Sequence, residues 1–315
     1  MSKLSGYMYV NYGDAHGLPY VEAAKSLLGF CDEVVVVCGQ HQESNTLKKI
    51  DDIKLKVYKF DINMDDPLRD GKTKQLAREL CTGDIVFQLD ADECVHEDSY
   101  KLIREHADKW APQWTCLCYP SVDLYGDAET AVGLSHFWKW RLSLNKSYYG
   151  HGVLKASQAK NSKGQDCSLF DDGCVMIDLR THEAMPYQNY YNAELDMYRT
   201  ADHVSYAKIH NDVIWRQLPV IWHYGAADIF RKLKMNRDSW AAGWRQLRPD
   251  GNAHEVMTYG FDPTGMSDEQ LEAQVAGLKQ EGLPQPGWWT FKVEQKNPAL
   301  MRGWLETHGL WKEGI

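Results

Sequence analysis

The chain has 315 residues, 43% of them hydrophobic and 25% charged, which suits one large globular domain or two small ones with ample core. A formal net charge of −9 argues against nonspecific nucleic-acid binding and against a strongly basic membrane-docking face, while a local basic patch for a phosphate-bearing substrate stays compatible with it. Residues 1–6 lack the apolar core of a signal peptide, and no apolar run reaches membrane-spanning length. The expectation is a cytoplasmic protein whose contact with a membrane, if any, is peripheral. The eight cysteines are scattered, several inside apolar segments, as buried reduced thiols would be. Cys116, Cys118, Cys167 and Cys174 match no familiar zinc-ligand spacing. The 12 Trp and 17 Tyr offer flat faces that stack on sugar rings, but such residues also fill cores.

In chain order, residues 7–10 are a short apolar strand followed by the polar loop Asn11-Tyr12-Gly13-Asp14-Ala15-His16-Gly17. Pro19 suits a first helical turn, and Val21, Ala24, Leu27 and Leu28 give a helical apolar face. Val34 to Val37 form a continuous β-branched run, the pattern of a strand buried on both faces. A polar stretch crosses to a third strand over 55–60 that ends at Asp61. A loop over 65–71 and a helix over 72–81 lead into Ile85-Val86-Phe87-Gln88-Leu89, which stops abruptly in Asp90-Ala91-Asp92-Glu93. Strands alternating with helices in this way predict an α/β fold with a mostly parallel sheet.

Beyond Asp92 the pattern predicts a helix over about 97–106, strands over 115–123 and 137–144, and a mixed region over 145–185. A helix over 190–200 and a short strand over 220–225 follow. From Asp228 the chain turns helical and aromatic. Ser267 and Gln270 form a capping box that opens a helix ending near Gly282, Pro284 to Gly287 make a linker, and a last short helix starts near Pro298.

The carboxyl ends of strands in open α/β sheets face the ligand crevice, so the acids after Leu89 belong where a substrate binds. Asp90 and Asp92 lie two apart and project to one side of an extended backbone. Two hard oxygen donors so placed suit Mg²⁺ or Mn²⁺, with phosphate oxygens and water completing the octahedron. An Asp-x-Asp triplet alone is common by chance; its position at the end of an apolar strand is what gives it weight.

Residues 6–93 resemble the nucleotide-sugar half of the GT-A-fold glycosyltransferases, most closely the family-2-type inverting enzymes. The resemblance rests on the first strand with its polar loop, the Asp32-Glu33 strand with Gly39, the helix carrying Gly71-Lys72 and Ala77-Arg78, and above all Thr82-Gly83-Asp84 through Asp90-Ala91-Asp92-Glu93. It implies a Rossmann-like, mostly parallel central sheet with flanking helices. In that scheme residues 1–95 bind a nucleoside-diphosphate sugar, residues 96–230 bind the acceptor, and residues 231–315 are a helical, aromatic-rich extension. It further implies Mn²⁺ or Mg²⁺ on Asp92, with Asp90 touching the metal or the ribose beside Ala91, and His223 as a third ligand.

By the same resemblance Asn11, Tyr12, Gly39 and Asp61, at strand ends, hold nucleobase and ribose, and Lys72 or Arg78 reaches the diphosphate or base. Thr181-His182-Glu183 and the Arg-bearing Trp140-Arg141-Leu142 are similar to acceptor-side segments of the family. This makes Glu183 the first candidate for the general base and Asp172 the second. The implied reaction moves a sugar, by default from a UDP-sugar, to a hydroxyl of a saccharide acceptor (glycan, lipid-linked or protein-linked), with inversion.

Two rivals stand beside it. A nucleotidyltransferase making a nucleotide sugar shares the sheet and the metal chemistry. It would be expected to carry a Gly- and Arg-rich phosphate loop after the first strand, whereas the loop at 11–17 holds no Arg or Lys. A non-catalytic, metal-dependent carbohydrate-binding protein would release no nucleoside diphosphate.

Overall fold

The first half of the sheet is parallel: β1 (Leu4–Val10), β2 (Glu33–Cys38), β3 (Leu55–Lys59) and β4 (Ile85–Gln88) lie side by side in the order β3-β2-β1-β4. The structure is a computed structural model that describes residues 2–63, 69–109, 116–133, 138–151, 176–181, 183–184, 187–189, 218–240, 263–281 and 289–311. The run Val34 to Val37 behaves as its composition requires. Val34 and Val36 pack with Leu4, Met8 and Leu27 under α1 (Tyr20–Leu28), while Val35 and Val37 pack with Tyr7, Val86 and Ala77 under α3 (Arg69–Glu79). Every β2 side chain is buried, because period-2 alternation sends successive valines to opposite helical layers.

Between β2 and β3 lies a helix that the sequence pattern did not predict, α2 (His41–Leu47). It carries little apolar periodicity and is nucleated by its first turn, where the Glu43 carboxylate accepts from the Gln40 backbone N–H at 3.3 Å. A fourth helix, α4 (Tyr100–Asp108), shares the layer of α1 through Ile103 and Ala107.

The second half is mixed. After β5 (Glu93–Val95) come β6 (Cys116–Tyr125), β7 (Thr130–Gly133) and β8 (Trp138–Leu144), with β8 antiparallel to both β4 and β6. The region over 145–185 contributes a small antiparallel sheet of β9 (Tyr149–His151), β10 (Met176–Asp178) and β11 (Glu183–Ala184). The strands β12 (Tyr187–Asn189) and β13 (Ile221–Ala226) both run parallel to β6, and β13 also pairs with β5. The architecture is thus α/β with helices on both faces of a central sheet, parallel through the first half and mixed beyond β4.

The last part of the chain is bound into the same body. After α5 (Ile229–Met235), a π-helical turn (Asn236–Trp240) and α6 (Asp268–Glu281), β14 (Trp289–Lys292) extends the sheet on β7. Ser267 and Gln270 cap α6 reciprocally, at 2.8 and 3.3 Å, as predicted. The final α7 (Arg302–Thr307) packs Trp304 and Leu305 among Cys94, Val122, Trp222 and Tyr224. The helix predicted over 190–200 lies outside the described residues, as does the linker over 284–287. Among the described residues, no helix is long and apolar enough to cross a membrane.

Candidate active site

Strand register assembles the site. The β5–β13 pairing sets Glu93 opposite His223, and the β13–β6 pairing sets His223 opposite Asp123, so three polar residues far apart in sequence share one row. The His223 Nδ1 meets Asp123 Oδ1 at 2.8 Å, and its Nε2 faces Asp92 Oδ2 at 3.4 Å. The Asp92 carbonyl accepts the Tyr224 N–H at 2.8 Å, which pins the loop after β4 to the strand that carries His223. A β-carbon added at Gly225 would lie 2.6 Å from His223 Nε2 and 3.0 Å from Asp92 Oδ2. The small residue after Tyr224 therefore keeps the space beside both donors open.

Electrostatics bind this group together. Burial disfavours a charged imidazole, as does Lys139, but Asp92 and Asp123 on either side overcome both and raise His223 to about 9. Burial would also raise the Asp92 carboxyl; His223, with help from Lys232 and Arg231, instead holds it well below the usual carboxylate range.

Asp90 is held differently. Its Oδ1 meets Lys74 Nζ at 2.8 Å and accepts from Gln88 Nε2 at 2.9 Å, while its Oδ2 lies 3.2 Å from the Arg141 guanidinium. Burial opposes its charge, but Lys74, then Arg141 and Lys139, keep it ionised well below its ordinary range. Arg141 reaches this position through a bulge where β8 pairs with β6. Across the bulge Leu142 packs into one face of the sheet and Trp140 into the other, although they are two residues apart. The same guanidinium donates to both Glu93 oxygens at 2.6 Å, Lys139 pairs with Glu93, and Lys139 lies 3.9 Å from Asp123. Asp70, Lys74, Asp90, Arg141, Glu93, Lys139, Asp123, His223 and Asp92 thus alternate in charge along one continuous chain.

The nucleotide-side expectations fall at the ends of β1, β2 and β3. A β-carbon on Gly39 would sit 2.1 Å from Asn11 Oδ1, so the glycine leaves room for the Asn11 side chain at the end of β2. Gln40 Nε2 donates to the same Asn11 oxygen at 3.2 Å. Tyr12 has φ of 56°, a left-handed conformation rare for a non-glycine residue, and its ring is exposed. The loop is held in that shape by the buried Glu43 carboxylate, which accepts from the Gly13 N–H, and by Tyr20 donating to Asp14 at 2.7 Å. Asp61 lies exposed just past β3, and Ala91 is half-buried against the apolar core.

The helix α3 needs a correction. Arg78 is 1% exposed and is turned into the protein, where it donates to Ser143 Oγ at 2.8 Å and to the Leu144 carbonyl; no face is left for a diphosphate. Lys72 sits on the exposed face of the helix. The cation that α3 delivers to the acid cluster is Lys74, which also pairs with Asp70 one turn before it, at 3.1 Å. Residues 70, 74 and 78 recur every four positions on one helix face, a spacing that separates them from Lys72.

Lys74, Lys139 and Asp123 escaped the sequence reading. Asp123 offered one signal, an acid inside an otherwise apolar strand. Of the two base candidates, Glu183 lies in β11 on the small sheet, and Asp172 lies outside the described residues.

A hard divalent cation would find two donors here, Asp92 and His223. Among the described residues no group of three or more His, Cys, Asp or Glu side chains is arranged for metal binding. Asp92 and His223 converge on the space that Gly225 leaves clear, and Asp123 orients the ring from behind as outer carboxylates do for metal-bound histidines. Phosphate oxygens and water would supply the remaining donors. Asp90, with both oxygens engaged by cations, is placed to position the site and not to join the pair.

No family model and no curated protein matches the sequence. Among solved structures, the chain is similar to Staphylococcus aureus TarS residues 1–349 in complex with UDP-GlcNAc, at 14% identity over 78% of this chain and 83% of that one, with a TM-score of 0.34. It is also similar to CMP:2-keto-3-deoxy-manno-octonic acid synthetase complexed with CTP, at 11% identity, 46% of this chain, 75% of that one and a TM-score of 0.30. A third is the 4-diphosphocytidyl-2C-methyl-D-erythritol synthase of Anaerococcus prevotii DSM 20548, at 7% identity, 46% of this chain, 70% of that one and a TM-score of 0.32.

Proposed function

We propose that this chain is a metal-dependent glycosyltransferase that moves a sugar from a nucleoside-diphosphate sugar, by default a UDP-sugar, to a saccharide hydroxyl with inversion. The observation that carries the reading is the convergence of Asp92 and His223 at 3.4 Å beside Gly225, at the carboxyl end of β4. Mn²⁺ or Mg²⁺ bound there would neutralise charge developing on a leaving diphosphate.

The remaining work falls to the chain's own residues. Asp123 fixes the His223 ring, so that Nε2 and not Nδ1 faces Asp92. Lys74 and Arg141 hold Asp90 ionised and oriented, as a ribose hydroxyl acceptor would need to be. Tyr12, Asn11 and Asp61 line the strand ends where a nucleobase would sit, Tyr12 with an exposed ring for stacking. Glu183, with Asp172 as the alternative, takes the acceptor proton in a single displacement.

Incubation with a panel of nucleotide sugars, Mn²⁺ and candidate saccharides tests this. The expected result is metal-dependent release of nucleoside diphosphate, with early product of the opposite anomeric configuration by NMR. Retained configuration, or pyrophosphate release from a nucleoside triphosphate, would overturn it. Glu183→Gln should slow transfer by roughly 10²–10⁴-fold while leaving donor binding unchanged; an unchanged rate moves the base to Asp172.

A further inference from the structure

Among the described residues, the cations around the acid cluster have assigned partners, with one exception. Lys74 is bound by Asp70 and Asp90, Arg141 by Asp90 and Glu93, and Lys139 by Glu93. On α5, Arg231 turns inward and donates to the carbonyls of Tyr224 and Gly225 at 2.8 and 2.7 Å, and Lys234 pairs with Asp268 at 2.9 Å. Lys232 lies between them, half-buried. Among the described residues its ammonium has neither a hydrogen-bond acceptor nor a carboxylate within ion-pair distance, yet its charge bears on both Asp92 and Asp123.

A half-buried ammonium without a partner is costly to keep charged. An anion arriving beside Asp92 would supply the partner that the described residues do not give Lys232. The helix is held for such an encounter: Asp228 caps it by accepting the Arg231 N–H at 3.1 Å, directly after the strand that carries His223 and Gly225.

We propose that Lys232 is the residue that binds the diphosphate of the donor and stabilises it as it leaves. This rests on the glycosyl-transfer reading above. In that reaction the bond between the anomeric carbon and the β-phosphate oxygen breaks, and its electron pair stays on that oxygen. The acceptor oxygen bonds to the anomeric carbon and gives its proton to the base carboxylate. The added negative charge appears on the diphosphate, where an unpaired ammonium gains a charge-assisted hydrogen bond.

Calorimetric titration of the wild type with UDP, CDP and GDP in the presence of Mn²⁺ identifies the tightest nucleoside diphosphate. Titration of Lys232→Met and Lys232→Arg follows, with that diphosphate, its monophosphate and its nucleoside. Lys232→Met is expected to weaken the diphosphate by about ten- to a hundredfold, the worth of a charge-assisted contact, and to leave the nucleoside within about twofold. Lys232→Arg should restore most of the loss, and the melting temperature should not move, because no described residue pairs with the ammonium. Unchanged diphosphate affinity in Lys232→Met overturns the assignment and leaves the glycosyl-transfer reading standing. Equal weakening of all three ligands with a lowered melting temperature makes Lys232 structural and overturns it too. If the wild type binds none of the three diphosphates, the glycosyl-transfer reading itself falls, and the role of Lys232 with it.

Discussion

At the scale of single residues, the site depends on what is missing at Gly225 as much as on the donors beside it. A methyl group there would meet the His223 ring and the Asp92 carboxylate at once. Gly225→Ala should therefore raise the Mn²⁺ concentration needed for half-maximal binding by about 10–100-fold, as when a metal site loses its supporting shell. Calorimetric Mn²⁺ titration checks this, and an unchanged titration would mean that the space is not a metal site. Asp92 could be picked out in the sequence because it follows an apolar strand, where carboxyl-end crevices form, and His223 because it follows a short apolar run inside β13. Their neighbours could not. Lys139 and Asp123 enter through strand register and a bulge, which no local spacing records, and Lys74 enters from the buried face of α3. Arg78 differs for a related reason: a basic residue near a predicted crevice need not face it, and the four-residue spacing from Lys74 puts Arg78 on the face packed against the sheet.

At the scale of the element, one carboxylate ties the amino ends of the parallel strands. Glu33, the first residue of β2, is 2% exposed and accepts from Ser5 Oγ at 2.6 Å, the Thr82 N–H at 2.9 Å and Thr82 Oγ1 at 2.8 Å, and it pairs with Lys56 of β3. Burial would raise its pKa, but these donors, Lys56 and Ser5 foremost, bring it from 4.5 down to about 2. A depressed carboxylate lends stability that is complete above its unfolded value and disappears as pH falls from about 4.5 through about 2. The contribution is at most about 3 kcal/mol at neutral pH. Glu33→Gln should lower the urea midpoint at pH 7 and flatten its decline between pH 5 and 3. An equally steep decline in the variant would show that Glu33 does not carry that acid sensitivity. The strands were legible here because continuous β-branched runs have one good burial. The helix α2 was not, because its stability comes from a capping interaction and its sequence, His41 to Leu47, has almost no apolar stripe.

At the scale of the whole molecule, the end of the chain supports its beginning. The Trp304 indole N–H donates to the Gly17 carbonyl at 3.0 Å, His308 stacks on the Trp304 ring at 4.3 Å, and Met301, Trp304 and Leu305 complete the core around Trp222 and Tyr224. The aromatic composition beyond residue 230 showed that this segment packs on something. It did not show that β14 extends the sheet or that α7 backs the loop over 11–17, since both are long-range pairings. Trp304→Ala should cost about 3–5 kcal/mol, the range for emptying a large aromatic core site. The far-UV circular dichroism and tryptophan fluorescence transitions of the wild type should coincide in urea. A separate early transition, or a Trp304→Ala midpoint equal to that of the wild type, would make the segment an appendage.

The convergence of Asp92 and His223 as a metal-holding pair in sugar transfer is tested most directly by comparing wild type and Asp92→Asn for nucleoside diphosphate release from a nucleotide sugar, with Mn²⁺ and with chelator. The expected results are release by the wild type in Mn²⁺, silence in chelator, and a loss on the order of a thousandfold in Asp92→Asn with the circular dichroism spectrum unchanged. Release at the same rate in chelator, or by Asp92→Asn at the wild-type rate, would contradict the metal-holding role of the pair.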